Sequence, residues 1–428
     1  MSNSWSVAII GAGVGGLSMA KLLKEAGIPD VAVFEAAGRV GGKSFSVMDY
    51  RSPVEMGTCY TTRAHKRVKD WMRDYGIGLK RNGLAKYDGQ SFRRHVQTGA
   101  GPHALIQMFR FLREADKLQK RIEEDPYNPA VRAEASMTIL EWLRARDLPK
   151  MELFLHRIQT VMGYGFLDET TAAQAQRWCN LSLVLSGFFN QMHMPESGWE
   201  PFWRRVADDV GNVFTNAAVT GIDRAPHGVT LQTAKGVHTA QYLINTIPLD
   251  TFASLCTLSN DEKIVMEGVE WGGYTTSLVT VDDWFTDYQV DGYSETVRPG
   301  AELGQMVGAR LEARDPELGP LYVTGQLPGR YTEPELAELL RSDIIKRKGK
   351  NPNVIMNRTW RYFPRWTTQA VREGLLGTMV DLQGDNRTWH SGSTFAFEAV
   401  SHIVEHNAAL APRIAAAFAA ATPQRLAA

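Results

Sequence analysis

Residues 7–16 read Val-Ala-Ile-Ile-Gly-Ala-Gly-Val-Gly-Gly, and a second apolar run, Val31-Ala32-Val33-Phe34, ends on Glu35. This spacing puts Gly11, Gly13 and Gly16, with Val14 and Gly15 between them, at a turn between a buried strand and a helix expected to start near Leu17. The residue types suit a dinucleotide. One glycine makes the tight turn, one lets the backbone approach a pyrophosphate, and one lets the helix pack close against the strand. The helix N-terminus offers free N–H groups and a partial positive charge to the phosphates. Glu35 lies about 20 residues further on, where its carboxylate can accept the ribose hydroxyls of an adenosine.

Two stretches follow: Ala-Ala-Gly-Arg-Val-Gly-Gly-Lys-Ser at 36–44 and Val54-Glu55-Met56-Gly57-Thr58. Gly41 and Gly42 allow a second backbone approach to the anion, and Arg39 and Lys43 are expected to neutralise its charge. Together with the preceding turn, this resembles the signature of the flavin amine oxidase superfamily. The resemblance implies FAD rather than NAD, with the glycine pair against the pyrophosphate. It also implies that Glu55, Met56, Gly57 and Thr58 run past the isoalloxazine ring and that Val219 contacts the adenine through its backbone. A segment matching Trp389–Ser393 would cross the ribityl chain, which places Gly392, Ser393 and Phe395 at the distal flavin site. Ser393 stands where the family usually carries an acid. Within the superfamily the chain is most similar to the FAD-dependent polyunsaturated fatty acid double-bond isomerases. Gly163-Tyr164-Gly165-Phe166, Trp360 to Pro364 and Asn386 to Phe395 carry that likeness. In those isomerases an Arg and a Phe cover the carboxylate end of the fatty acid, and the nearest positions here are Arg81 and Phe188 or Phe189.

The elements expected to position these residues give a mixed α/β fold: a Rossmann-type FAD-binding domain with an inserted substrate domain of sheet and helices. Residues 1–80 would begin the FAD domain, 210–260 continue it, and 371–428 complete it with a tail. Residues 81–209 read as mostly helical, after a hairpin-like piece at Tyr87-Asp88-Gly89. A surface helix from Leu105 to Glu124 is broken by Asp125-Pro126, and another opens at Met137 with Ser136 as its cap. The stretch Leu153–Trp199 is rich in Leu, Phe, Trp and Met. It is either plain core or the wall of an apolar cavity. Residues 261–370 mix strands, such as Thr275–Val281 and Leu321–Thr324, with a helix at Pro334–Lys346. A last helix spans Glu398–Phe418.

The chain has 428 residues, 44% hydrophobic and 22% charged, which suits a two-domain globular protein. Lys+Arg and Asp+Glu both number 47, so nothing steers it toward nucleic acid or an anionic membrane. No apolar run is long enough for stable membrane insertion, and the fingerprint starts too early to leave room for a leader, so a cytoplasmic location is expected. Three scattered cysteines make neither a disulfide framework nor a metal site, and Cys59 is read as a packing residue.

The expected activity is hydride transfer from a small, apolar or amphipathic substrate to the flavin, in a cavity that excludes water. Phe189, Trp389 and Tyr362 are expected in its walls, with His193 or His390 as a base. A redox-neutral isomerase, returning the hydride to a different carbon of an unsaturated lipid, is the alternative. A monooxygenase using NADPH is disfavoured because the chain shows no second Gly-x-Gly-x-x-Gly strand–helix unit to seat a nicotinamide nucleotide, although some monooxygenases manage without one. A binding protein on the same fold, like the Rab GDP-dissociation inhibitors, would not need the intact Glu35 and Arg39–Lys43.

Overall fold

The computed structural model describes residues 3–91, 94, 103–189 and 191–421. Ser4–Ile10 is the strand before the glycine turn, and it runs parallel to Val31–Phe34 on one side and to Gly236–Asn245 on the other. Val7, Ala8, Ile9 and Ile10 are all buried, as a continuous apolar run must be when both sheet faces are covered. Val213–Phe214 extends this sheet past Val31–Phe34. An antiparallel meander of Val219–Ala225, Gly228–Thr233 and Gly236–Asn245 forms the other side. Thr388–His390 then adds in parallel beside Leu243–Asn245.

The first helix spans Val14–Glu25, three residues ahead of the expected start, because Gly13 itself is the N-cap. Its apolar face packs with Trp199–Val210 and with the C-terminal helix Val400–Ala421 in one core. The tail after 421 lies outside the described residues.

A second, seven-stranded sheet has the order Asn353–Trp366, Val269–Thr280, Gly319–Gln326, Met306–Asp315, Val290–Gly292, Ala85–Tyr87, Gln90–Ser91. The hairpin at Asp88-Gly89 thus belongs to this sheet and pairs in parallel with Val290–Gly292. Helices between His103 and Phe188 pack into the largest core. One expected cap moves. Thr138, not Ser136, starts the helix Ile139–Ala145 through a reciprocal capping box with Glu141, while Ser136 ends the preceding helix. Among the described residues no helix is long and apolar enough to cross a membrane.

Candidate active site

Two backbone turns face each other in the first domain. Gly13 bridges Gly41, and the Gly41 N–H donates to the Ala12 carbonyl at 2.8 Å. Gly42 sits in the left-handed region at φ 56°, and a Cβ there would stand 3.0 Å from the Gly13 Cα. A Cβ on Gly16 would overlap the Gly11 carbonyl oxygen. No side chain fits at either place. The result is a cradle of bare backbone at the start of a helix, which is what a pyrophosphate requires.

Glu35 is held at its rim. Its carboxylate accepts from the Ala12 N–H at 2.7 Å and the Ala37 N–H at 2.8 Å. The Ala217 N–H donates to the Glu35 carbonyl at 2.8 Å, which brings Val219 to the same end of the cradle. On the far side Gly15 lies against Gly392, with 3.4 Å between an added Cβ and the Gly392 Cα. Asn407 ties this contact down by donating to the Gly15 carbonyl at 2.8 Å and pairing with Ser391. Ser393 is half-buried beside it, and Phe395 is buried with its ring 5.2 Å from that of His390.

The two cations expected at the phosphates have other work. Arg39 donates to the carbonyls of Val40, Gly42 and Ser44 and pairs with Glu200 at 3.3 Å. It therefore holds the second turn in shape. Lys43 pairs with the buried carboxylate of Glu398 at 2.7 Å, under the rings of Trp271 and Tyr362. A carboxylate that far from water needs a counter-charge, and Lys43 supplies it.

The Glu55–Thr58 segment divides. Glu55 turns away, into a buried pocket where its carboxylate accepts from Ser46 and from the Trp199 N–H at 2.9 Å. Burial pushes its pKa up to about 8, against the pull of the Trp199 N–H and with the help of the nearby Glu312 charge. Met56 is buried too, and its carbonyl accepts from Thr276 at 2.7 Å and Trp360 at 3.1 Å. Those bonds present Gly57 and Thr58 to a cavity.

That cavity joins the cradle to the second sheet. With its mouth it holds about 1250 Å³, and Val14, Lys43, Gly57 and Thr58 form the cradle end. Tyr60, Tyr164, Trp178, Tyr274, Trp360 and Tyr362 give the rest its aromatic walls. Tyr164 and Tyr362 stack at 5.7 Å, and Tyr274 leans on Tyr362 at 5.8 Å. A β-bulge aims Tyr362 inward. Pairing shifts from Trp271–Pro364 to Gly272–Tyr362, which leaves Phe363 as the extra residue with φ 53°. The Phe363 N–H donates to Glu398 at 2.9 Å and so anchors this uncommon backbone conformation. Ala399, Val400 and Ile403 bring the N-terminus of the last helix to the same cavity.

Of the four side chains expected to do catalytic work, only Tyr362 lines this cavity. Phe189 follows the helix Leu181–Phe188 and is 51% exposed, under the Arg63 guanidinium. Arg81 donates to the Phe189 carbonyl at 3.1 Å, so that pair does meet, outside the cavity wall. The side chain of Phe188 lies outside the described residues. Trp389 is buried in the nucleotide-domain core with Val7, Ile9 and Tyr242, because its strand joins that sheet and side chains alternate across it. His193 pairs in a short strand with Arg81, and burial lowers its pKa. His390 faces Glu262 at 3.2 Å; burial lowers its pKa against the pull of that carboxylate.

Several lining residues were not anticipated from the sequence, among them Tyr60, His65, Tyr274, Arg310 and Glu398. The His65 Nδ1 accepts the Thr62 N–H at 3.0 Å, and burial, aided by His402 and Lys69, pulls its pKa down to about 3. It is neutral at physiological pH. Cys59 also lines the cavity, and burial pushes its thiol pKa up, so it stays a packing residue.

A glycine cradle at a helix N-terminus, a ribose acid and an adjoining aromatic cavity define a dinucleotide-dependent flavoprotein of the Rossmann type. Residues 14–410 match the family "Flavin containing amine oxidoreductase", and the chain belongs to that family. Its cofactor is FAD, which the cradle fits: Cβ atoms at Gly16 and Gly42 would fill the space a pyrophosphate turn needs. A solved structure of a CLA-producing fatty acid isomerase from P. acnes superposes with a TM-score of 0.82, at 19% identity, covering 96% of this chain and 99% of that one. Putrescine oxidase bound to putrescine superposes at 0.75, with 18% identity over 97% of this chain and 99% of that one. Curated relatives match only a short stretch. The "Amine oxidase [flavin-containing]" of Oncorhynchus mykiss is 40% identical over 76 residues, 18% of this chain and 14% of that protein. "Protoporphyrinogen oxidase 2, chloroplastic/mitochondrial" of Arabidopsis thaliana is 45% identical over 74 residues, 17% of this chain and 14% of that protein.

Proposed function

We propose that this protein is an FAD-dependent oxidoreductase that removes a hydride from an apolar or amphipathic small molecule held in the aromatic cavity. The observation that carries this reading is the continuity of the lining. Val14, Gly57 and Thr58 from the cofactor side share one cavity with Tyr164, Tyr274, Trp360 and Tyr362.

Bound FAD supplies the hydride acceptor, and the protein supplies position and dryness. Gly11, Gly13, Gly16, Gly41 and Gly42 would cradle the pyrophosphate, and Glu35 would take the ribose. Arg39 keeps the second turn folded. The stacked Tyr164 and Tyr362 and the bonded Trp360 exclude water from the carbon that gives up its hydride. The N-terminus of the Val400–Ala421 helix puts its partial positive charge at the cavity, where it would favour negative charge on a bound flavin.

The test is anaerobic mixing of the flavin-loaded protein with a panel of fatty acids, amines and alcohols. Persistent bleaching of flavin absorbance that oxygen reverses is the expected result. Absence of bleaching with every compound would overturn the reading. A transient bleach that recovers without oxygen, with the substrate rearranged, would replace net oxidation by isomerisation.

A further inference from the structure

Among the described residues, one guanidinium lines the aromatic cavity. Arg310 lies on the strand Met306–Asp315 and lines the cavity beside Tyr60 and Tyr274, with its side chain 15% exposed. Two of its nitrogens have partners behind the wall. Nε donates to Glu312, whose side chain is fully buried, and Nη2 donates to the Glu55 carbonyl at 2.8 Å. Glu312 in turn accepts from the Glu55 N–H at 3.3 Å, so the guanidinium plane is fixed at two edges. Nη1 has no acceptor among the described residues. The Tyr60 and Tyr274 hydroxyls donate to Met162 Sδ and the Val161 carbonyl, both at 2.8 Å.

The acceptor side of the cavity is the reverse. Its one lining carboxylate, Glu398, is occupied on both oxygens by Lys43 and on one of them by the Phe363 N–H as well. Glu312 and Glu55 do not reach the lining. An alkylammonium entering this space would meet a guanidinium and find no free carboxylate. An oxygen acceptor would fill the open Arg310 donor, and such charge-assisted bonds are the stronger kind.

We propose that Arg310 is the head-group anchor of this site, and that it selects a substrate carrying a carboxylate or carbonyl oxygen over one carrying an ammonium. This deepens the proposed function, since it names the polar end of the amphipathic molecule that the cavity holds.

The experiment is anaerobic titration calorimetry of the oxidised, FAD-loaded protein with octanoate, octanamide and octylamine, three probes that differ only in the head group. The expected order of affinity is octanoate, then octanamide, then octylamine, with on the order of tenfold or more between the first and last. The double variant R310Q/E312Q should erase that order while keeping its flavin. Removing both partners together leaves no buried unpaired carboxylate to unfold the protein. Octylamine binding as tightly as octanoate to the unaltered protein would overturn the proposal, and that arm needs no variant to fold. An unchanged order in R310Q/E312Q would overturn it as well. Binding is read from titrations in which the flavin absorbance stays unchanged, so failure of the bleaching experiment with an intact octanoate preference would sink the oxidoreductase reading and leave the anchor standing.

Discussion

The glycine cradle and the aromatic cavity meet at Gly57, yet they are built on opposite principles. The cradle is backbone: two turns, Ala12–Gly16 and Gly41–Gly42, brought together because side chains are missing from them. The cavity is side chain: aromatic rings from Tyr60, Tyr164, Tyr274 and Tyr362, set by a bulge and by buried ion pairs. A backbone site tolerates no added atom. A side-chain wall can lose an atom and keep its shape, provided that no charge is stranded.

That contrast sets the scale of what substitution should do. Gly16→Val has the largest expected effect, because its Cβ alone overlaps the Gly11 carbonyl. A cost of about 3 kcal/mol corresponds to roughly a hundredfold loss of FAD affinity, seen as colourless protein on purification. Full yellow colour would show that the turn is not the cradle. Lys43→Met comes next, since it strands the Glu398 carboxylate. We expect about 3 kcal/mol lost in urea unfolding, largely restored by adding Glu398→Gln. Equal stability of the single and double variants would remove the ion pair from the account of the wall.

Glu55 gives a smaller effect with a definite sign. Its pKa is about 8 in the folded protein against an ordinary 4.5, so between those values it takes up a proton on folding. Its contribution is complete below 4.5 and is lost as pH rises through about 8, because the unfolded chain has already ionised there. Unfolding free energies should therefore fall across that window, by at most about 1.4 kcal/mol per pH unit from this group. Glu55→Gln should flatten the slope, and an unaltered slope would mean that another group controls it. Phe189→Ala should do least. The side chain is half in solvent and off the wall, so turnover should stay within about twofold, as surface changes usually do. A larger loss would extend the working cavity toward Arg81.

The same contrast explains what could be read from the chain alone. Gly11 to Glu35 lie within one strand–helix–strand unit, where each residue type follows from local backbone need, and the structure keeps Glu35 and the facing glycines where the spacing puts them. Arg39 and Lys43 were legible as cations near that turn. Their partners, Glu200 and Glu398, lie far along the chain, so their actual work was not legible. Trp389 and Phe189 look like cavity residues by type. Strand alternation turns one into the sheet core, and a helix end leaves the other in solvent. Tyr362 points inward because Phe363 bulges, and no periodicity announces a bulge. Arg310 sits among alternating strand residues as an ordinary charge, and only the folded cavity lining shows where it faces.

The central claim is that cofactor binding and substrate handling reside in these two separable constructions. The most direct measurement is a crossed one: flavin content and the anaerobic bleaching rate in Glu35→Ala and Tyr362→Ala, prepared side by side. Glu35→Ala should lose flavin, since two N–H groups at the cradle lose their acceptor, while whatever flavin remains bleaches at the normal rate. Tyr362→Ala should keep its flavin and bleach at least about tenfold more slowly, the order expected when a positioning wall is lost. Full flavin in Glu35→Ala, or normal bleaching in Tyr362→Ala, would contradict the account.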